Sequence, residues 1–457
     1  MNEPSGAEGP VHRSLTENHD PPETEPRAAP PLVAEPPPHR FSHAWRALRH
    51  RNFRLFFSGQ SISLIGTWMT RIATAWLVYR LTHSALLLGT VSFVGQIPVF
   101  LLAPVAGVWV DRLNRRTVLL WTQALAMVQS LLLAGLTLTH IIHLPELMVL
   151  AAFQGVINAF DMPARQSFMV QMVESREDLQ NAIAINSSMA NLARLLGPSL
   201  AGLIIALSNE GYCFLIDGLS YVAVIVSLLM MRMVATARTE SKATMGEQLR
   251  EGWAYVSRFV PIRSILLLFA ILSLMGWPFV VLMPIFAVKV FKGGPNTLGL
   301  LMGAVGVGAL LSALVLVARR SPRGLTRVIP LAAVLFGAGL VAFGFSRAMW
   351  VSMLLMLVTG YGMMQGLTAS NTVIQTLADE KMRGRVMSYY TVAFVGMAPF
   401  GSLLAGWMAH HIGAARTVQI DGVVCILAAG WFCTQLPAIR RQMRPIYEEL
   451  GIVSRRN

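Results

Sequence analysis

Along the chain, long apolar runs alternate with short polar breaks. The runs fall at 55–79, 85–109, 117–138, 146–166, 181–207, 212–233, 264–288, 297–317, 326–345, 350–376, 386–409 and 417–436. A helix needs about 20 apolar residues to cross the hydrocarbon core of a bilayer, and each run is of that order. The pattern therefore predicts roughly twelve membrane-spanning helices. Nothing substantial remains for a soluble catalytic domain.

Composition sharpens this picture. The chain is 54% hydrophobic and only 13% charged, against about 25% charged in an ordinary soluble domain. A net charge of +14 raises the question of nucleic acid, but the basic residues recur in alternate loops instead of forming one patch. Of the 37 Lys and Arg, about 28 lie beside or within every second loop and about five in the others, an asymmetry that places both termini in the cytoplasm. Residues 1–44 are rich in Pro and Glu and read as a disordered cytoplasmic tail, and 437–457 read as a C-terminal cytoplasmic tail. Cys213, Cys425 and Cys433 fall in predicted spans without metal spacing, so they read as small apolar residues, and no metal or cofactor is expected. His140, His143, His410 and His411 sit in the outer loops without ligand company. The chain has no GxSxG, HExxH or phosphate-binding GxxxxGKS sequence, so no enzyme activity is expected.

The second half repeats the first at one offset. QMVESREDLQNA at 171–182 falls on QTLADEKMRGRV at 375–386, GPSLAG at 197–202 on GSLLAG at 401–406, and IDG at 216–218 on IDG at 420–422. Two bundles of six spans follow, 45–234 and 264–436, joined by a linker at 235–263. Within the linker, Leu249, Trp253, Val256 and Val260 have helical spacing that suits an amphipathic interfacial helix, with a plain solvated linker as the alternative.

Between the second and third runs stands GVWVDRLNRR, residues 107–116. It resembles the GxLaDRxGRR loop signature of the major facilitator superfamily, keeping Gly107, Asp111, Arg112, Arg115 and Arg116 and placing Asn114 where a second glycine is usual. The resemblance implies an all-α membrane protein of the major facilitator fold, with two pseudo-symmetric six-helix halves and a substrate site near the midplane between them. It also implies a cytoplasmic gate in which Asp111 pairs with an arginine or a helix N-terminus of the other half. Asparagine tolerates the left-handed backbone that the missing glycine would adopt. Arg383 and Arg385, before the eleventh span, serve topology or partner the gate acids Asp111 and Asp161.

A narrower resemblance covers residues 45–436. GTWMTRIATAWLVYRLTHSALLLG (66–89), FDMPARQSFMVQMV (160–173), GPSLAG, FLIDGLSY (214–221) and RGRVMSYY (383–390) are similar to the bacterial exporter branch that includes enterobactin exporters, secretion effectors and macrolide-efflux proteins. Within NLARLLGPSLAG, the residues Arg194, Gly197, Pro198 and Gly202 resemble an antiporter motif, although such small residues are also ordinary membrane packing. The resemblance implies proton-driven export across a bacterial inner membrane. One departure is Ala151, four residues before Gly155, where many drug:proton antiporters carry an arginine.

Charges inside spans are costly, at least about 2.5 kcal/mol on insertion scales, so each needs a partner or a wet cavity. Arg71, Arg194, Asp217 and Asp421 are of this kind, and an Arg71–Asp217 ion pair is one arrangement the depths allow. The two aspartates are read either as structural anchors or as proton carriers. Polar stripes at helical spacing predict cavity walls: Gln60, Ser63, Thr67, Thr70, Arg71 and Thr74 in the first span, Gln154, Asn158, Asp161 and Arg165 in the fourth, and Tyr361, Gln365, Thr368, Thr372 and Gln375 in the tenth. The expected protein is a monomeric exporter of a small amphiphilic molecule, siderophore-like or drug-like, with protons as coupling ion. A proton-coupled importer and a non-transporting receptor or scaffold are the alternatives.

Overall fold

The computed structural model describes residues 46–173, 176–232, 245–317, 324–380 and 382–449. Within them the apolar runs are helices and no strand forms. A short 3-10 turn, Arg46–Arg49, leads into α1 (Arg51–Thr82), α2 (Ala85–Arg112), α3 (Arg115–Leu138), α4 (Leu144–Gln171), α5 (Arg176–Leu207) and α6 (Glu210–Met230). The linker carries α7 (Met245–Arg258). After it come α8 (Val260–Ile271) and α9 (Phe279–Ile285), then α10 (Pro295–Val317), α11 (Leu325–Phe345), α12 (Met349–Leu377), α13 (Arg383–Thr391), α14 (Ala398–Ile412) and α15 (Ala414–Glu449). The expected tail at 1–44 and the side chain of Asp111 lie outside the described residues.

Among the described residues, eleven helical stretches are long and apolar enough to cross a membrane. The predicted first span, α1, stands outside the eleven although it is 32 residues long. Its polar stripe and its arginines lower its hydropathy. The seventh and eleventh spans are continuous rods with widened turns. The π-turns at Leu272–Gly276 and Val392–Gly396 lie just ahead of Pro278 and Pro399, and a third, Phe286–Val290, follows Pro284. Proline has no N–H and crowds the carbonyl four residues back, which the wider turn relieves.

Two local findings differ from expectation. Asn114 is not left-handed: its backbone is extended, and its side chain caps α3 by accepting from the amides of Arg116 at 3.0 Å and Thr117 at 3.4 Å. The segment expected as a C-terminal tail from 437 continues α15 as helix to Glu449, with Ile439 and Met443 one turn apart and buried. Gln442 there accepts from the first amide of α8, Val260 N, at 3.2 Å.

Helices α1 to α6 pack on one another, α1 against α5 and α6, α3 against α4 and α6, and α2 against α4. Helices α8 to α15 do likewise, α12 against α10 and α11, and α15 against α8 and α11. The two sets meet along two seams, α5 on α10 and α2 on α14. Glycines make each seam. A Cβ on Gly202 would stand 2.9 Å from Gly299 Cα, and one on Gly406 would stand 2.9 Å from Gly89 Cα. Such distances leave no room for side chains, so the backbones touch.

Both seams are confined to one end of the bundle, where α1 turns into α2 and α9 leads to α10. The first runs from the Pro295–Gly202 contact to that of Gly306 with Leu195, and the second from Ala85–Gly406 to Phe100–Gly396. At the other end, which holds residues 51 and 449, α2 continues to Arg112 and a Cβ on Gly107 would meet nothing within 4 Å. At that end no glycine contact joins the two sets among the described residues.

Candidate functional site

The polar stripe of α1 meets α5 beside the second helix set, and Gly197 fixes the geometry there. A Cβ there would meet the Ile65 carbonyl at 3.1 Å and crowd the Cβ of Trp68, so α5 lies directly on α1 at the indole. Three residues earlier on α5, Arg194 places its guanidinium carbon 5.1 Å from the Trp68 ring centroid. Three residues later on α1, Arg71 places its own 4.8 Å from the same centroid. Both distances are cation–π contacts. Arg194 Nη1 also reaches 3.6 Å to Met364 Sδ on α12, a residue of the other helix set. Its Nε is buried without an acceptor among the described residues. The cluster thus lies between the sets.

Asp217 does not pair with Arg71. Its Oδ2 accepts from Thr70 Oγ1 at 2.9 Å and Ser130 Oγ at 3.1 Å, tying α6 to α1 and α3. Asp421, at the equivalent repeat position, is buried to 1% exposure, and its Oδ2 has no partner among the described residues. The two repeats keep the carboxyl but not its donors.

Asp161 belongs to an anchor within the first set. Its Oδ1 accepts from Thr122 at 2.9 Å and Gln123 at 2.7 Å, and its Oδ2 pairs with Arg165 one turn on. Further along the same stripe, Gln154 donates to Asn158 at 3.2 Å. Gln365 is buried, accepting from Ser312 on α10 at 2.8 Å. Gln60 is buried in α1, Thr67 donates back to the Ser63 carbonyl at 3.0 Å, and Tyr361 on α12 is half-buried. Ala151 packs against α2, its Cβ 3.6 Å from where one on Gly95 would stand. The short side chain permits that crossing, where an arginine would not fit without moving α2.

The loop signature divides. Arg116 donates to the Leu228 and Leu229 carbonyls at 2.8 and 2.9 Å, capping the C-terminus of α6 within its own set. Gly107 faces open space, Arg112 ends α2 and Arg115 begins α3. Of the pair before the eleventh span, Arg385 bonds Glu251 of the linker helix, and Arg383 Nε is buried without a partner among the described residues. The linker helix lies over α13, with Trp253 against Tyr389 at 5.9 Å between ring centroids. A cleft of about 490 Å³ opens there beside Tyr255, Arg258 and Met382, away from the arginine cluster. Burial in this cleft raises the Tyr255 phenol above its ordinary range.

Trp68 and Met364 were not singled out from the sequence. Trp68 stands three residues before Arg71 on the polar stripe, which is the signal that marks it; Met364 carries none, since only the tertiary fold brings it to Arg194.

Known proteins resemble this chain over most of its length. The profile of the family described as transmembrane secretion effector matches residues 42–446. The staphyloferrin A transporter of Staphylococcus aureus is 26% identical over 83% of this chain and 95% of its own. The multidrug efflux pump Tap of Mycolicibacterium fortuitum is 26% identical over 82% and 93%. Among solved structures, a bacterial homolog of the human lysosomal transporter Spinster, in an inward-facing and unoccupied conformation, superposes with a TM-score of 0.65 at 13% identity, covering 85% of this chain and 96% of that one.

Proposed function

The chain belongs to the transmembrane secretion effector family of major facilitator transporters, and we propose that it exports a small amphiphilic molecule across the bacterial plasma membrane by alternating access coupled to proton entry. The observation that carries this reading is the one-ended contact between the helix sets. Seams of bare glycine backbone at one end, with no glycine contact between the sets at the other among the described residues, are what a rocking pair of bundles, 45–234 and 264–436, needs. The end without a seam bears the arginine-rich loops, so by the positive-inside rule it is cytoplasmic, and the conformation is open inward. Cargo enters there and meets the polar stripe of α1 and the Trp68 cluster.

Rocking then brings the Gly107–Arg116 turn toward the start of α13 and parts the glycine seams. Asp421 is the group we assign to proton exchange, since a buried carboxylate without a donor is too costly to persist uncompensated. Asp217, held by Thr70 and Ser130, serves as an anchor. The relatives support both siderophore-like and drug-like cargo.

The test is flux in proteoliposomes under an imposed pH gradient, with a panel of siderophores and drugs. Substrate accumulation in inside-out vesicles, abolished by a protonophore, supports the proposal. Uptake in right-side-out vesicles instead makes the protein an importer, and flux indifferent to the gradient removes proton coupling.

A further inference from the structure

The two arginines at Trp68 make an unusual charge arrangement for a membrane interior. Both guanidinium carbons lie against one indole ring, at 4.8 and 5.1 Å from its centroid. Like charges held that near one another repel, and the weak screening of a protein interior strengthens the repulsion. An acid between them would resolve this, yet among the described residues neither is paired with one. Asp217 bonds Thr70 and Ser130 through Oδ2 and pairs with neither arginine, and Asp161 is held by Thr122, Gln123 and Arg165.

The donors of Arg194 are also left short. Its Nε is buried with no acceptor, and its Nη1 meets only the thioether of Met364, a weak acceptor. Buried guanidinium donors without acceptors are costly. Helix packing maintains the arrangement, because Gly197 seats α5 on α1 at Trp68. Arg71 is exposed, so its guanidinium is accessible to an anion.

Resting on the exporter reading, we infer that Arg71, Trp68 and Arg194 form the anion-recognising part of the cargo site, and that the cargo carries a carboxylate-class anion joined to an aromatic or apolar body. The anion fills the gap in charge and accepts from the unused donors; charge-assisted bonds to guanidinium are the strongest available in such a place. The body lies on the indole face and against Met364. Met364 belongs to the opposite helix set, so occupation of the site touches both sets at once and is felt by the rocking motion.

The experiment compares naphthoate with its neutral isostere naphthamide, by isothermal titration against the full-length protein in phosphatidylcholine nanodiscs. The expected result is that naphthoate binds the wild type about tenfold or more tightly than naphthamide. Arg71→Gln and Arg194→Gln each lower naphthoate affinity by about that factor and leave naphthamide affinity unchanged. Equal affinities for acid and amide, no saturable binding of either at about 1 mM, or equal losses of both in the variants overturn the inference. The wild-type comparison stands even where a variant fails to fold. Repeating it in phosphatidylglycerol nanodiscs separates cargo from lipid: unchanged affinity supports a cargo site, and loss of binding assigns the arginines to a lipid headgroup and overturns it. Proteoliposomes that export an organic cation but ignore naphthoate keep the exporter reading and lose this one. A protein that binds naphthoate but moves no solute across the bilayer loses the exporter reading instead.

Discussion

Gly202 and Gly299 touch backbone to backbone, and so do Gly406 and Gly89. Gly202 and Gly406 close the matching GPSLAG and GSLLAG segments, so the internal repeat supplies one side of each seam that holds the helix sets together. A side chain at either place forces the seam apart. Gly202→Leu is expected to shift the protein away from the conformation described, because overpacking a close contact costs about 1–3 kcal/mol. Cysteine labelling in membranes checks this: positions lining the seam, such as Ser199, become reactive from the outer side in the variant, while total expression is retained.

Asn114 acts as a helix cap and not as a substitute for a left-handed glycine. Asn114→Ala should therefore cost about 1 kcal/mol, and Asn114→Gly only a few tenths. Thermal melting of the detergent-solubilised variants orders them. Were the position left-handed, glycine would equal or exceed asparagine in stability.

Arg116 holds the end of α6 through two carbonyl bonds. Arg116→Ala is expected to lower stability by about 1–2 kcal/mol from those bonds and the helix-end interaction. Arg116→Lys should recover only part of this, since one ammonium does not reproduce the fork. A transport rate per folded molecule that stays near wild type, with a lowered melting temperature, is the expected pairing.

Asp421 and Asp217 occupy equivalent repeat positions but differ in their donors. Asp421→Asn is expected to abolish the response of transport to a pH gradient while leaving substrate binding and the fold intact. Asp217→Asn is expected to act mainly on stability, by about 1–3 kcal/mol, because it disturbs two hydrogen bonds that tie three helices. Counterflow, which needs no net proton movement, separates the two: it should survive in Asp421→Asn.

The pair of Arg385 and Glu251 joins the linker helix to α13, and Glu251 has a side chain 58% exposed. Such surface pairs contribute about 0–1 kcal/mol. Glu251→Gln should leave the melting temperature within error, so that any change in transport rate reports on the linker helix and not on folding.

The sequence by itself determined the helices, their membrane-scale length and the doubled architecture. Hydrophobic periodicity is a local property that survives any arrangement of neighbours, and the charged loops followed from counting. The glycines of the repeat, the loop signature and the charges inside spans were all legible, because the repeat recurs at one offset and charges are rare where a bilayer disfavours them. Which atoms those residues meet was decided only by tertiary structure. Asp217 lies beside Thr70 and Ser130 because α1, α3 and α6 cross there, and Asp421 in the same register meets no such donors. Arg116 turned inward to a helix end, Asn114 became a cap, and Arg194 met Trp68 because Gly197 allowed α5 to lie against α1. A side chain's chemistry is written in the chain, but where its partner stands on another helix, as for Asp217 with Thr70 and Arg116 with Leu228, only packing chooses that partner.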